Sequence, residues 1–162
     1  MNFLPAFYLS GDNERRLVGN FIGDFVKGKH ALQQFEPEIV KGIMLHRAID
    51  EYTDTHPIVT ASKNRLRPKY RHYSGVIADV FYDHFLARNW SLFHITSLSL
   101  FPEHSYRTIQ RYNDILPKEV KAMLPYMIRG NWLVNYANTE GIHRALSGMA
   151  SRTPYLSKME EA

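Results

Sequence analysis

An all-α, single-domain helical bundle is the fold that this sequence predicts, on three observations. Apolar residues recur three and four positions apart, no stretch alternates convincingly between apolar and polar residues, and prolines and glycines separate the periodic stretches. The chain has 162 residues, of which 44% are hydrophobic and 22% charged. This composition is ordinary for a globular domain and excludes disordered, collagen-like and coiled-coil chains. We therefore expect one domain over residues 1–162, without an internal repeat.

Four stretches show the helical period most clearly. Their apolar positions are Leu17, Val18, Phe21, Ile22 and Phe25; Val40, Ile43, Met44 and Ala48; Val76, Ile77, Val80, Phe81 and Phe85; and Val120, Met123, Leu124, Met127 and Ile128. The residues expected to mark helix ends are Gly28, Pro37, Pro57, Pro68, Gly75, Pro102, Pro117 and Gly130. Pro37 and Pro117 each precede a charged helix former and are predicted to lie in a first turn. The pattern predicts about seven helices packed as a bundle.

The charge of the chain and its lack of cysteine limit the functional classes. Without cysteine there is no disulfide, thiolate catalysis, iron–sulfur cluster or cysteine zinc site. The formal net charge of +4 and isoelectric point of about 9.3 favour an acidic partner, which could be a nucleic acid, a protein or a small anion. Neither a secretory leader nor an apolar run near the ~20 residues of a membrane span is recognisable. We therefore expect a cytoplasmic protein.

Acidic and histidine side chains are regularly spaced on the second of these helices. His46, Asp50 and Asp54 lie four residues apart, so their side chains line one helix face. Such a line is typical of a metal or phosphate site. For any one of these positions the alternative is a solvated side chain or an ion pair with a nearby arginine, such as Arg47 beside His46.

Carboxylates also occur inside apolar stretches of two other helices. Asp79 and Asp83 repeat the four-residue spacing, and His84 lies on the same helix. Like charges at this spacing are unfavourable, and more so when desolvated, so a compensating cation is expected. Asp24 lies in an apolar run on the first helix. Carboxylates and imidazoles without thiolates suit Mn²⁺, Fe²⁺, Mg²⁺ or Zn²⁺ in a catalytic rather than a structural site.

Five segments, in order, give the chain a resemblance to a known family over essentially its whole length. They are Met1-Asn2-Phe3-Leu4; Gly19-Asn20-Phe21-Ile22-Gly23-Asp24-Phe25-Val26-Lys27-Gly28; Gly42-Ile43-Met44-Leu45-His46-Arg47-Ala48-Ile49-Asp50 with Thr53-Asp54; Asp83-His84-Phe85-Leu86-Ala87-Arg88-Asn89-Trp90; and Gly148-Met149-Ala150-Ser151-Arg152. Together they resemble the acyl carrier protein phosphodiesterase family. The resemblance implies an α-helical, Mn²⁺-dependent relative of the HD metal phosphohydrolases. It also implies an enzyme that removes the 4′-phosphopantetheine arm from the serine of holo-acyl carrier protein, leaving the apo carrier.

The resemblance further implies roles for the matching residues. The implied metal-binding and catalytic set is Asp24, His46, Asp50, Asp83 and His84, with Asp54 and Asp79 as further ligands or as partners that orient the imidazoles. The metal is expected to be Mn²⁺, with Fe²⁺ or Mg²⁺ as alternatives. The candidates for binding substrate or phosphate are Asn20, Lys27, Arg47, Arg144 and Arg152. For Asn20, a capping or interhelical role is an equal alternative.

The chain departs from the family pattern in two places. Family members begin Met-Asn-x-Leu-Ala-His, whereas Pro5-Ala6 stands here, so a histidine expected near the metal is absent. The chain also ends soon after Arg152, where family members continue. These departures favour, as one alternative, a catalytically weakened protein that binds acyl carrier protein without turnover. A separate alternative is an HD-like phosphohydrolase of nucleotides or small phosphate esters.

A basic segment offers a docking surface for an acidic partner. No acidic residue occurs from position 55 to position 78, while basic residues recur there with interleaved aromatic residues. The predicted docking residues are Lys63, Arg65, Arg67, Lys69 and Arg71. The resemblance implies acyl carrier protein, which is strongly acidic, as the partner. The alternative to a docking surface is a basic helix end and loop that are simply exposed to solvent. Nucleic acid is less favoured, because the sequence has no zinc finger, RNA-recognition motif or phosphate-binding glycine loop.

Overall fold

Helices and short 3₁₀ turns make up the fold, which a computed structural model describes for residues 3–153 and 157–162. Those residues form the α-helices α1 (Phe3–Leu9), α2 (Glu14–Ile22), α3 (Pro37–Thr55), α4 (Pro57–Tyr70), α5 (Ser74–Arg88), α6 (Phe101–Arg111), α7 (Lys118–Arg129), α8 (Trp132–Asn135) and α9 (Thr139–Ala150). The 3₁₀ turns are Gly23–Phe25, His30–Gln34, Arg71–Tyr73, Trp90–Leu92, Asn113–Ile115 and Met159–Glu161. No strand occurs among the described residues. The predicted all-α, single-domain bundle is confirmed.

The observed helix ends confirm some of the sequence predictions and correct others. Prolines lie in the first turns of α3, α4 and α6. Pro117 instead caps α7, one position before the predicted first turn. Pro68 does not end a helix: it lies inside α4, two residues before the helix ends, where its missing N–H removes only one late hydrogen bond. The helices number nine in the described residues rather than about seven, because α1 and α8 are too short to show a period.

Helix α1 is fixed on α2 by aromatic packing. The ring of Phe21 lies 5.5 Å from that of Phe3 and 5.2 Å from that of Phe7, measured between centroids. All three rings are buried in the main hydrophobic cluster. Aromatic pairs at these separations add packing energy beyond their buried area. The apolar start of the chain is therefore part of the core.

Helices α2 and α3 cross in close contact at two glycines. A Cβ on Gly19 would lie 2.0 Å from the carbonyl oxygen of Ile39, and a Cβ on Gly42 would lie 2.2 Å from the carbonyl oxygen of Arg16. Only glycine permits backbones to approach this closely. The crossing brings the end of α2 against the middle of α3, where the candidate site lies.

A second hydrophobic cluster joins α4 and α5 to α9 and the C-terminal turn. Its buried members are Tyr70, Ile77, Val80, Ile142, Leu146 and Met159. This cluster packs the C-terminal half of α4 against the rest of the bundle. Within the described part of the chain, every helix is too short or too polar to cross a membrane.

Candidate metal centre

Asp24, His46 and Asp50 converge where the end of α2 meets α3. His46 and Asp50 lie one turn apart on α3, and Asp24 lies in the 3₁₀ turn that follows α2. Nε2 of His46 is 3.3 Å from Oδ1 of Asp24 and 3.2 Å from Oδ2 of Asp50. One ligand atom from each residue lies within 4.8 Å of the other two. In the described parts of the chain this is the one group of three or more such side chains close enough to bind a metal ion.

The arrangement of these three side chains fits a divalent cation. The imidazole of His46 is buried, yet its Nε2 has no hydrogen bond of acceptable geometry among the described residues, although two carboxylate oxygens are near. Two ligand atoms that each lie about 2.1 Å from one metal ion, with an angle of about 90° at the metal, are about 3.0 Å apart. The distances from Nε2 of His46 to the two carboxylate oxygens are close to this value. The two carboxylates are partly exposed, so the site is open to solvent on one side. The donor set of two carboxylates and one imidazole is therefore compatible with a divalent metal.

The carboxylates beside His46 favour the protonated form of its imidazole. Burial of the ring disfavours its charge, but the carboxylates of Asp24 and Asp50 outweigh burial and raise the pKa of His46 to about 9. His46 in turn holds the pKa of Asp24 below its ordinary value. The charged imidazole thus compensates the negative charges of Asp24 and Asp50.

Asp83 and His84 lie on α5 and are not part of this triad. Oδ2 of Asp83 accepts hydrogen bonds from the backbone N–H groups of Phe3 at 3.1 Å and Leu4 at 3.5 Å, so the carboxyl caps the start of α1. Burial raises the pKa of Asp83 to about 8. Nδ1 of His84 lies 2.7 Å from the carbonyl oxygen of Tyr136 and is placed to donate to it. Both side chains therefore connect α5 to other parts of the fold.

Asp54 and Asp79 are also separate from the triad. The exposed carboxylate of Asp54 forms an ion pair with Nζ of Lys63 at 2.5 Å. Asp79 lines a cavity between α1, α3, α4 and α5. Burial raises the pKa of Asp79 above its ordinary value. Neither residue has a ligand atom in the group of three.

Arg47 fastens the segment that carries Lys27. Its guanidinium donates hydrogen bonds to the carbonyl oxygens of Val26 at 3.1 Å and Gly28 at 3.4 Å. Lys27 lies between those two residues and is exposed, and its charge contributes to the low pKa of Asp24. The two cations predicted from the motifs thus have different surroundings: Lys27 is solvent-facing, and Arg47 is engaged with backbone.

Asn20 is fully buried and connects α1 to α2. Its amide nitrogen donates to the carbonyl oxygen of Ala6 at 2.9 Å and to the hydroxyl of Ser10 at 3.0 Å. These contacts agree with an interhelical role for Asn20, the alternative to substrate binding that the sequence leaves open. Ala6, at the position where the family pattern has histidine, is itself buried and 3% exposed.

Arg144 and Arg152 lie near the end of the bundle formed by α8 and α9. Both line a cavity of about 180 Å³, and Arg144 also forms an ion pair with Glu140 at 3.0 Å. Arg152 in addition lines a neighbouring cavity of about 530 Å³, whose wall includes Phe25, the residue after Asp24. Of these two arginines, Arg152 is therefore the one associated with a cavity that reaches the neighbourhood of the triad.

The predicted docking residues divide into two groups on α4 and the turn after it. Lys63 pairs with Asp54, and Lys69 pairs with Glu161 at 3.0 Å. Arg65, Arg67 and Arg71 are exposed, and none forms an ion pair with any described residue. These three guanidinium groups are therefore free to bind an anionic partner.

Sequence reasoning missed the glycines that assemble the triad. Gly19 and Gly23 lie four residues apart on one side of the crossing, and Gly42 and His46 lie four residues apart on the other. A Cβ on Gly23 would lie within 2.7 Å of three atoms of the His46 side chain. The available signal was the four-residue spacing of Gly19 and Gly23, since small residues four apart permit close helix contact.

Comparison with known proteins identifies the family. A family model described as acyl carrier protein phosphodiesterase matches residues 1–162. A relative of that name from Photorhabdus laumondii is 35% identical over 98% of this chain and 80% of its own length. The relative from Yersinia enterocolitica is 37% identical over 98% of this chain and 82% of its own length. The corresponding protein of Shigella boydii is 34% identical over 100% of this chain and 84% of its own length. No solved structure matches significantly, so the relation to HD phosphohydrolases stays a prediction. The chain thus belongs to the acyl carrier protein phosphodiesterase family.

Proposed function

We propose that this protein is a metal-dependent phosphodiesterase that hydrolyses the 4′-phosphopantetheine arm from holo-acyl carrier protein and releases the apo carrier. The observation that carries the proposal is the triad of Asp24, His46 and Asp50 in a chain that belongs to the acyl carrier protein phosphodiesterase family. The names of the relatives indicate the substrate, and the triad offers the chemistry for hydrolysing a phosphodiester.

The triad residues would hold the metal through two carboxylate oxygens and Nε2 of the imidazole. Oxygen and imidazole ligands without thiolate favour Mn²⁺, Fe²⁺ or Mg²⁺, and we propose Mn²⁺. When bound, such a cation supplies Lewis acidity and activates water at neutral pH. For the metal to bind, His46 has to lose the proton that its two carboxylate neighbours stabilise.

Hydrolysis adds water to phosphorus, breaks the bond from phosphorus to the serine oxygen, and leaves a proton on that oxygen. The phosphoryl oxygens gain negative charge on the way, so cations near the triad stabilise the transition state. Lys27 is exposed and acts electrostatically on Asp24, which makes it the first candidate for this role. Arg47 fixes the backbone on both sides of Lys27 and acts as its positioning residue. Arg152 is the second candidate, because its cavity includes Phe25.

The carrier protein would dock on α4. Arg65, Arg67 and Arg71 present three positive charges that no described acidic residue neutralises. An acidic carrier is attracted to such a surface over distances of about one Debye length, roughly 8–10 Å at physiological ionic strength. Because these arginines lie outside the triad, they suit a large acidic protein better than a small phosphate ester held at the triad.

The direct test is hydrolysis of the carrier itself. Purified protein is incubated with holo-acyl carrier protein and Mn²⁺, and the carrier is followed by intact mass for loss of the arm. We expect conversion to the apo mass, and we expect a chelator to stop it. Hydrolysis of small phosphate esters without conversion of the carrier would favour the alternative substrate class. Failure to bind Mn²⁺, Fe²⁺ and Mg²⁺ would contradict a metal enzyme.

Two neighbouring carboxylates on α3 provide a matched pair of variants. Asp50→Asn removes a charge from the triad, and Glu51→Gln removes one from the adjacent exposed position, which forms no described ion pair. Asp50→Asn should lower Mn²⁺ affinity and turnover at least about tenfold. Glu51→Gln should retain both. Equal effects of the two changes would remove Asp50 from the proposed site.

A further inference from the structure

A large, mainly apolar cavity borders the part of α3 that carries Asp50. Its volume is about 620 Å³, and its walls come from α1, α3, α4 and α5. Three of its apolar residues are strongly exposed for their size: Leu9 is 49%, Tyr52 68% and Ile58 65% exposed. Cavities that bind small organic groups in proteins have volumes of about 300–1,000 Å³ and are mainly apolar with a few polar groups.

The cavity and the triad share the same part of α3. Ala48, Ile49 and Thr53 line the cavity. On α3, Ala48 and Ile49 immediately precede Asp50, and Thr53 follows Asp50 by about one turn. Residues three apart on a helix are neighbours, so the edge of the cavity at Thr53 borders Asp50, and a chain attached to a phosphate at Asp50 can enter the cavity at this edge. On the far wall, Ile58 and Val59 belong to α4, the helix that also carries the exposed arginines.

The lining of the cavity suits a neutral chain with a few polar groups. Besides its apolar walls it includes the hydroxyl-bearing residues Thr53 and Tyr82, and the Tyr82 hydroxyl lies 3.0 Å from that of Ser62. Its ionisable lining residues are His56 and Asp79, and burial raises the pKa of Asp79 above its ordinary value. No lysine or arginine lines it among the described residues. The neighbouring cavity of about 530 Å³ differs in that its lining includes an arginine, Arg152, together with Glu119. Beyond its phosphate, the pantetheine arm carries amides, a hydroxyl, a thiol and methyl groups but no charge.

We propose that the cavity between α1, α3, α4 and α5 receives the pantetheine arm, which lies beside Ala48, Ile49, Ile58 and Val59 while its phosphate is at the triad. This assignment rests on the proposed function and adds the subsite that distinguishes the arm from other phosphate substituents. Tyr52 and Ile58 form the exposed rim of the subsite.

The position of the bound arm is measured by methyl NMR with free 4′-phosphopantetheine as the probe and Mg²⁺ as a diamagnetic metal. We expect chemical shift changes at the methyl groups of Ile49, Ile58 and Val59. The methyl groups of Val76, Met123 and Met149 report on the neighbouring cavity and should change little. Shifts confined to that second set, or no shifts in either set, would overturn the assignment.

Two exposed alanines provide a matched pair of variants for the same experiment. Ala48→Phe places a ring in the proposed subsite, whereas Ala122→Phe places one at the edge of the neighbouring cavity. Both alanines are exposed and lie on helices. Ala48→Phe should weaken 4′-phosphopantetheine binding and lower kcat/KM for the holo carrier by about tenfold. Ala122→Phe should leave both near the wild-type values. Ile58→Trp, from the opposite wall, gives an independent obstruction if Ala48→Phe lowers the melting temperature.

The outcomes separate the subsite from the proposed function. Carrier hydrolysis with ligand shifts at the neighbouring cavity would retain the function and reject this subsite. Ligand shifts at Ile49, Ile58 and Val59 without carrier hydrolysis would retain the subsite and reject the function. Equal effects of Ala48→Phe and Ala122→Phe would also reject the subsite.

Discussion

Gly23 lies directly against the side chain of His46. A Cβ at position 23 would stand 2.4 Å from Cγ, 2.5 Å from Cβ and 2.7 Å from Cδ2 of the histidine. The backbone of Gly23 has ordinary right-handed angles, with φ −53° and ψ −40°, so any residue could adopt its conformation. Glycine is required here by the neighbouring side chain, and the contact fixes the position of the imidazole between Asp24 and Asp50.

Gly23→Ala should therefore displace the imidazole from the triad. The new methyl group cannot fit without moving His46, which should cost about 1–3 kcal/mol of stability and lower Mn²⁺ affinity at least about tenfold. Gly148→Ala is the matched control, because it lies within α9 and a Cβ there meets nothing within 4 Å. That change should raise helix stability by up to about 1 kcal/mol and leave Mn²⁺ affinity unchanged. Calorimetric metal titration and thermal unfolding measure both effects, and unchanged metal affinity in Gly23→Ala would contradict the positioning role.

His84 is expected to act on the fold through the carbonyl oxygen of Tyr136. His84→Ala removes the buried hydrogen bond at Nδ1 and should lower the free energy of unfolding by about 1–3 kcal/mol. His84→Gln keeps an N–H donor and should recover part of that loss. Mn²⁺ affinity, measured by titration, should be the same in both variants as in the unchanged protein. A loss of affinity as large as that in Asp50→Asn would instead make His84 a metal ligand, as the family resemblance implied.

The periodic apolar pattern was enough to predict the fold class but not every helix boundary. Pro68 was predicted to end a helix, yet packing of Tyr70 in the second cluster carries α4 two residues past it. The short helices α1 and α8 lack enough turns to show a period, and tertiary contacts such as the Phe7–Phe21 stack stabilise α1 instead. Local sequence does not reveal such contacts, because their partners lie far apart in the chain.

The candidate site was predictable where its residues share one helix. His46 and Asp50 lie one turn apart on α3, so their spacing alone places them together. Asp24 joins them only through the glycine crossing of α2 and α3, which a single-helix pattern does not contain. Asp83 and His84 are consecutive, and consecutive helical residues point about 100° apart. They accordingly face different partners, α1 and Tyr136, rather than one site.

The stability of the metal-free protein should fall as pH rises from about 6.5 to about 9. The folded pKa of His46 is about 9, raised by its two carboxylate neighbours against the opposing effect of burial, while its ordinary value is 6.5. The folded state therefore retains a proton that the unfolded chain releases, so stability is fully present below pH 6.5 and is lost as pH rises through 9. Urea unfolding with a chelator present, at several pH values across this window, measures the decline.

His46→Gln isolates the histidine contribution to that decline. Burial raises the pKa of Asp83 to about 8, so the titration of Asp83 also lowers stability as pH rises towards 8. The His46→Gln variant leaves Asp83 in place. The decline should consequently be shallower in His46→Gln than in the unchanged protein. Parallel pH profiles for the two proteins would show that the imidazole carries no such proton in the folded state.

Reversing the free positive charges on α4 and the turn after it should weaken carrier binding. A triple change of Arg65, Arg67 and Arg71 to glutamate replaces attraction by repulsion towards an acidic carrier. We expect KM for the holo carrier to rise about tenfold or more at low ionic strength, and the difference to shrink as salt screens the charges. The turnover number kcat should change little, because these residues lie outside the triad. Kinetics at several salt concentrations measure both quantities.

The control for this prediction is a second triple change with the same effect on net charge. It reverses three exposed basic residues on α5 and α7 that form no described ion pair: Arg88, Lys118 and Arg129. If carrier binding depends on the α4 surface, this control should retain most of the affinity, since it alters only the overall charge of the protein. If both triple variants raise KM equally, long-range net charge accounts for the attraction and the α4 arginines have no specific docking role. A large effect confined to the α4 variant, and diminishing with salt, is the result expected for a docking surface that recognises an acidic protein.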